Sequence, residues 1–461
     1  MTPGRTARPL SRNLVRCKLM VKRVRGGSFA VDGDAEIGAA GRLVGDVLAG
    51  AVGVVRDTHR AIADRVFTAV GPVSWPVRAV HDAVAGGVYA IVRGAHAALP
   101  RLIGTTAGYG WRPEPAPLSG RRAGRFTLAV VNGIWGDTLS DQHPELATPM
   151  AVRSRGADVP PTVVALRAAF PAATPRIVLF IHGLCETEEY WSLDSRRHHG
   201  AVGTTLGSRL QREFGYTPVY LRYNTGLHVS DNGRRLAELI EDLIAGWPVA
   251  VDEITVIGHS MGGLVIRSAG QQAAVAGHRW VPAVRHVVFL GTPHLGAPLA
   301  RGVHTVAWML ARFPESRPVG ELLSRRSVGV QDLAYGALVE DDWRAADPAA
   351  LPSDGCTDVP FLPRANHYFI GATIGSRHDN PLAAVVGDLF VPFDSAAGQG
   401  DRRRLPFLSG NGRHLGGLHH FDLLNHPAVH DQVCAWLTEP RGDGEGATAD
   451  DVRRSATASA P

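Results

Sequence analysis

Two hydrophobic rhythms divide the chain. Between residues 37 and 104, Leu43, Val47, Ala51, Val55, Ile62 and Val66 recur at helical spacing. Val77, Val80, Val84, Val88, Ile91, Ala95 and Leu99 follow in steps of three or four, with Pro76 well placed for a first helical turn. The spacing predicts two or three amphipathic helices. Such a stripe can pack on the rest of the protein, self-associate or lie on a lipid surface, and the pattern alone leaves all three open. After the Pro-rich stretch 113–117 the rhythm changes. Short apolar runs predict strands over 177–181, 218–223, 254–257, 286–290 and 368–372. Helical segments over 201–214, 232–244 and 261–274 separate the first of these, and one over 430–437 closes the series. Strands alternating with helices of 10–15 residues predict an α/β class with a mostly parallel sheet covered on both faces. Residues 126–131 also read as a strand, and 163–166 as a further one. Residues 297–365 carry no strand pattern and read as a helical insertion.

This organisation gives a basic arm at 1–36, a helical extension at 37–112 and an α/β domain at 113–438. The Gly/Ala/Ser/Asp-rich tail at 439–461 is expected to be disordered. Charge changes the picture only at the start. The chain has 48 Lys and Arg against 43 Asp and Glu, but residues 1–27 hold eight of the basic residues and no acidic one. The remainder is slightly acidic, so a nucleic-acid partner is not expected. No apolar run of about 18 residues suggests a spanning helix, and the arm lacks the apolar stretch of a signal peptide. Four scattered cysteines (Cys17, Cys185, Cys356 and Cys434) form no CxxC pair, which suits free thiols in a reducing, cytoplasmic setting. Peripheral membrane contact through the helical extension stays open. The adjacent pairs His198-His199 and His419-His420 point their side chains apart, so no metal site and no cofactor is expected.

The chemistry concentrates at 254–265, Ile-Thr-Val-Ile-Gly-His-Ser-Met-Gly-Gly-Leu-Val. Ser260 sits in a Gly-x-Ser-x-Gly pentapeptide between a predicted strand and a predicted helix. A sharp strand-to-helix turn there lifts the serine hydroxyl above the sheet, and Gly258 and Gly262 leave room for it. A serine hydroxyl is a weak nucleophile at neutral pH. It needs an imidazole to take its proton and a carboxylate to orient that imidazole. On such a sheet the expected chain order is Ser, Asp or Glu, then His. Asp388 on a Gly-Asp turn is the candidate acid, with Asp394 as its rival. His420, just before a helix, is the candidate base, with His419 beside it, while His426 before Pro427 reads as a capping or packing residue. The oxyanion formed by attack needs backbone N–H donors. Met261, at the start of the helix, and Leu184, after the Gly183 turn, are the candidates.

The segments IHG (181–183), GHSMGG (258–263), LGTPHLG (290–296), GDLFVPFDSA (387–396) and HFDLLNHP (420–427) resemble those of α/β-hydrolase-fold serine lipases and esterases. The likeness is nearest to bacterial lipases and the GPI inositol-deacylase-like branch. It spans about 175–438 and implies a triad at Ser260, Asp388 and His420 acting on a small-molecule or lipid ester. Leu389 departs from it, standing where this group often has glycine. His294 in the TPH segment reads as a loop-holding residue, and the insertion as a cap whose apolar set (Val303, Val306, Trp308, Met309, Leu310 and Phe313) could meet an acyl chain. An acyltransferase or thioesterase would use the same triad, and the N-terminal helices could instead carry a binding role.

Overall fold

The computed structural model describes residues 33–79, 81–83, 85–86, 117–297, 317, 326–344, 356–375, 387–401 and 403–438. The basic stretch up to 32, the second half of the apolar stripe, the apolar set of the insertion and the tail lie outside the described residues. Eight strands form one sheet: β1 (Ala151–Ser154), β2 (Ala157–Val159), β3 (Arg176–Ile181), β4 (Thr217–Arg222), β5 (Glu253–His259), β6 (Val284–Leu290), β7 (Asn366–Thr373) and β8 (Gly412–Gly416). Their order is β2-β1-β4-β3-β5-β6-β7-β8. From β4 to β8 every neighbouring pair is parallel, and β1 runs antiparallel to both β2 and β4. The chain steps from β3 to β4 on one side, then returns across β3 to lay β5 on the other. That reversal opens a crevice at the carboxyl ends of β3 and β5, where α/β sheets bind ligands. This is the α/β-hydrolase fold.

The sheet is buried on both faces because its central strands are apolar at consecutive positions. In β3, Ile177, Leu179 and Ile181 face one core and Val178 and Phe180 the other. The first core is completed by α5 (Val229–Gly246), through Leu236, Ile240 and Leu243, and by α6 (Met261–Ala276), through Leu264 and Val265. The second is completed by α4 (Leu206–Phe214), through Leu206 and Leu210, and by α8 (Pro427–Thr438), through Val429, Val433 and Trp436. Truncating a fully buried side chain such as Leu179 to alanine costs about 2–5 kcal/mol. The helix boundaries follow local signals. A reciprocal Thr205–Ser208 capping box starts α4, and Gly215 ends it at φ 70°.

Several expectations are corrected. Residues 126–131 are not a strand but lie inside helix α2 (Arg122–Gln142). The buried face of α2 is Ala129, Asn132, Gly133, Gly136 and Leu139, mostly small or polar, so its helical period is invisible to hydrophobicity. Gly133 lets α2 press onto the loop after β3: a β-carbon there would stand 2.2 Å from Cys185 Sγ. Residues 163–166 begin helix α3 (Val163–Ala169), whose Thr162 side chain accepts the Ala165 N–H. Only Leu166 of α3 is buried, and Val164 is 82% exposed, so the apolar run is a surface feature. Strands β1, β2 and β8 are too short and polar to have stood out. The β1–β2 turn carries positive φ at both Arg155 (49°) and Gly156 (80°).

The arm expected to run to 36 gives way earlier to helix α1 (Gly33–Val70). Ala39 near its start packs with Leu139 and Leu146, and Glu36 accepts the Ser119 N–H at 3.1 Å. The far end of α1 turns back at Gly71, where Arg78 pairs with Asp64 and the rings of His59 and His81 lie 5.0 Å apart. Val77 of the expected stripe is 64% exposed, and Ile62 is 48% exposed. Within the insertion, α7 (Val328–Tyr335) docks on the body: Ser327 Oγ donates to Gly133 O, and Asp332 holds His228 and the Val229 N–H. Among the described residues no helix is long and apolar enough to cross a membrane.

Candidate active site

Strand β5 ends in His259, and α6 begins at Met261, leaving Ser260 as the single residue of the turn. Its backbone is strained, at φ 53° and ψ −125°, a region that side chains other than glycine rarely occupy. The turn is held by Ser260 N–H donating to Leu290 O at 2.8 Å. Its tightness explains the flanking glycines. A β-carbon at position 262 would stand 2.3 Å from Ile181 O, and one at 258 would stand 2.5 Å from Ile266 Cδ1.

Asp388 follows Gly387, beyond β7, and is 1% exposed. Its Oδ1 accepts the N–H groups of Phe390 (3.1 Å) and Val391 (2.8 Å), which fixes the carboxylate within its own turn. Oδ2 lies 2.6 Å from His420 Nδ1, and His420 N–H donates to Asp388 O at 3.0 Å. The two loops are therefore tied twice, by side chain and by backbone. Leu389 completes the turn at φ 90°, which accounts for the glycine expected there, and its side chain is 53% exposed. The ring of Phe390 lies 5.4 Å from that of His420. Asp394, the rival acid, is exposed on the short helix after Pro392. His419 is a capping residue: its backbone N–H donates to Asp422 Oδ2 at 2.9 Å, and its ring is near the same carboxylate. His426 Nδ1 accepts the Ala428 N–H at the start of α8.

The His420 ring lies over Gly291, where a β-carbon would stand 3.1 Å from Cε1 and Nδ1. Gly291 follows Leu290, the residue that accepts the Ser260 N–H, so His420 and Ser260 meet around the same strand end. Ser260 Oγ and His420 Nε2 form no hydrogen bond among the described residues. The loop after β3 comes against the serine from the other side. A β-carbon at Gly183 would stand 2.9 Å from Ser260 Cβ, so only glycine permits this approach. In that loop Gly183 N–H donates to Glu186 Oε2 (2.8 Å) and Cys185 N–H to Thr225 Oγ1 (3.2 Å). Leu184 N–H, between them, has no partner among the described residues, and neither has Met261 N–H.

One pair was not visible in the sequence. Glu186 and His259, 73 positions apart, are 2% and 0% exposed and lie 2.8 Å apart, Oε1 to Nδ1. The contact is off-axis for a linear hydrogen bond but close enough for an ion pair. His259 Nε2 donates to His420 O at 3.1 Å. Burial alone would hold His259 neutral, but the Glu186 carboxylate outweighs it and raises the imidazole above its ordinary value. Burial likewise opposes ionisation of Glu186, and His259 with the Gly183 N–H brings its carboxyl below the ordinary value. The pair thus ties the Gly183 loop, the Ser260 turn and the His420 backbone together. His294 is fully buried, and burial with the nearby Arg267 and Arg403 pushes its imidazole far below its ordinary value. Its backbone holds the loop, the amide N–H donating to Ser395 O at 3.1 Å and the carbonyl accepting from Arg403, while neither ring nitrogen has a partner among the described residues.

Among known proteins, the family described as "Domain of unknown function (DUF7379)" matches residues 154–314, less than half of the chain. No curated protein matches the sequence. Similar solved structures include the mature Bacillus licheniformis lipase BlEst2, at 18% identity and TM-score 0.37, covering 58% of this chain and 94% of that one. A Pyrobaculum calidifontis esterase is similar at 16% identity and TM-score 0.30, over 57% of this chain and 76% of its own. Phospholipase PlaB from Legionella pneumophila is similar at 15% identity and TM-score 0.32, over 58% of each chain. These likenesses say nothing of activity here, and the fold assignment stands on strand order.

Proposed function

We propose that the protein is a serine hydrolase that cleaves carboxylic esters with a hydrophobic acyl group, by way of an acyl-enzyme. The observation that carries this reading is the buried Asp388–His420 pair at 2.6 Å, set beside the strained turn that bears Ser260. His420 Nε2, on the ring edge away from Asp388, takes the proton of Ser260 as Oγ attacks the ester carbonyl. Asp388 keeps Nδ1 protonated and stabilises the imidazolium. The unclaimed N–H groups of Leu184 and Met261 receive the oxyanion, Met261 with the added field of the α6 N-terminus. His420 then hands its proton to the departing alcohol, and a water it activates releases the acid. An unliganded site commonly leaves the serine–imidazole hydrogen bond long until substrate binds. Exposed Leu389 and half-exposed Phe390 beside His420 favour an apolar acyl chain. The finer likeness, to bacterial lipases and the GPI inositol-deacylase-like branch, rests on motifs and names no substrate.

Fluorophosphonate labelling, with a p-nitrophenyl ester series of increasing acyl length, tests the reading. Wild type labels at Ser260 and prefers longer acyl chains. Normal labelling and turnover by Ser260→Ala would overturn it.

A further inference from the structure

Away from the serine, the far ends of α4 and α8 bring together three side chains of different chemistry. Glu213 lies near the C-terminus of α4, and His430 and Cys434 lie one turn apart on α8. His430 Nε2 is 3.1 Å from Cys434 Sγ and 3.4 Å from Glu213 Oε2, and Sγ is 3.7 Å from the same oxygen. We propose that Glu213, His430 and Cys434 bind a divalent, thiolate-accepting cation such as Zn²⁺, with water at the fourth position.

The size of the triangle is the first support. Tetrahedral zinc, with bonds of about 2.3 Å to sulfur and about 2.0–2.1 Å to nitrogen and oxygen, sets its donors roughly 3.3–3.6 Å apart. The three edges, 3.1, 3.4 and 3.7 Å, bracket that range. The second support is the other ring nitrogen. His430 Nδ1 faces Asp431 Oδ1 at 3.5 Å, the outer carboxylate that fixes a metal-binding imidazole with its Nε2 lone pair free. Arg212 lies 3.2 Å and Arg209 3.6 Å from Glu213 Oε1, which leaves Oε2 to face the site. The donors also sit on fixed elements: His430 is buried, and Leu210, Val433 and Trp436 anchor the two helices in one core.

A reactive Cys-His pair is the rival use of these residues, and the third donor opposes it: Glu213 Oε2 closes on both Sγ (3.7 Å) and Nε2 (3.4 Å), as donors around one centre do. Because α8 follows the His420 loop directly, the cation would clamp that last helix to α4.

Titration of the chelator-stripped full-length protein with Co²⁺ tests the site. One equivalent should give tetrahedral cobalt bands and a thiolate-to-metal charge-transfer band. Zn²⁺ should displace both and raise the Tm by several degrees. Cys434→Ala and His430→Gln should lose the bands, Glu213→Gln should weaken binding at least tenfold, and Cys356→Ala should match wild type. No thiolate band in wild type, or its survival in Cys434→Ala, refutes the site. Should the variants misfold, alkylation of wild-type Cys434 decides: Zn²⁺ slows it if the proposal holds, and an unchanged rate rejects it.

Discussion

Two buried histidine–carboxylate pairs meet within a few ångströms, and they differ in what the second ring nitrogen meets. In both, Nδ1 faces a carboxylate, at 2.6 Å for His420–Asp388 and 2.8 Å for His259–Glu186, and the two rings are 4.6 Å apart. His259 has both nitrogens occupied, the second by His420 O. His420 has only Nδ1 occupied among the described residues, so its Nε2 can accept a proton from a neighbour. Burial and an acidic partner are common to both, so on the proposed mechanism neither is what suits His420 to be the base. The distinguishing feature is the unspent nitrogen.

Substitutions can break this comparison. The largest expected effect is from His420→Ala, which should lower kcat on the order of 10⁴-fold or more, measured on the folded fraction because the buried Asp388 carboxylate loses its partner and the Tm falls as well. Asp388→Asn should lower kcat about 10⁴-fold, because the amide favours the wrong imidazole tautomer, whereas Asp394→Asn should match wild type. If Asp394→Asn loses activity and Asp388→Asn retains it, the acid is reassigned. For the second pair the readout is stability. Glu186→Gln leaves His259 buried without its counter-charge and should cost about 3–5 kcal/mol, measured by urea unfolding.

That cost should depend on pH in a way that sharpens the contrast. His259 is raised from 6.5, so its contribution is complete below 6.5 and fades as pH climbs through the raised value. Glu186 is lowered from 4.5, so its contribution is complete above 4.5 and fades as pH falls through the lowered value. The difference between wild type and Glu186→Gln should thus be largest between 4.5 and 6.5 and shrink outside that window. A difference that does not vary with pH would mean that the two groups are not ionised together. The smallest expected effect is at Leu389→Gly. Relief of the positive φ and the added freedom of the unfolded chain oppose one another, so the unfolding free energy should stay within about 1 kcal/mol of wild type, measured by urea unfolding.

Much of this organisation is legible in the residues themselves. The strand–turn–helix around Ser260 is local: apolar strand, glycine-flanked serine and small-residue helix are consecutive, so period and turn chemistry suffice to read them. The central strands are likewise legible, because burial on both faces demands uninterrupted apolar residues. Legibility fails where burial is achieved by other means. Helix α2 buries Gly133 against the loop that carries Cys185 and Asn132 against residues 146–148, and α3 shows its valines to solvent, so hydrophobic period misreports both. Short polar strands at the sheet edges, such as β1 and β8, give too few alternations to read.

By itself, then, the sequence determined the alternation of strands and helices, the turn at Ser260 and the order in which Asp388 and His420 follow it. These are properties of neighbouring residues, set by backbone sterics and side-chain burial. Only the tertiary structure decided which of two aspartates meets which of two histidines, since the Gly387 turn aims Asp388 inward and leaves Asp394 in solvent. It alone joined Glu186 to His259, and Glu213 to a histidine and cysteine more than 200 positions later. Such contacts depend on how strands cross and helices pack, and that information belongs to no single stretch of the chain.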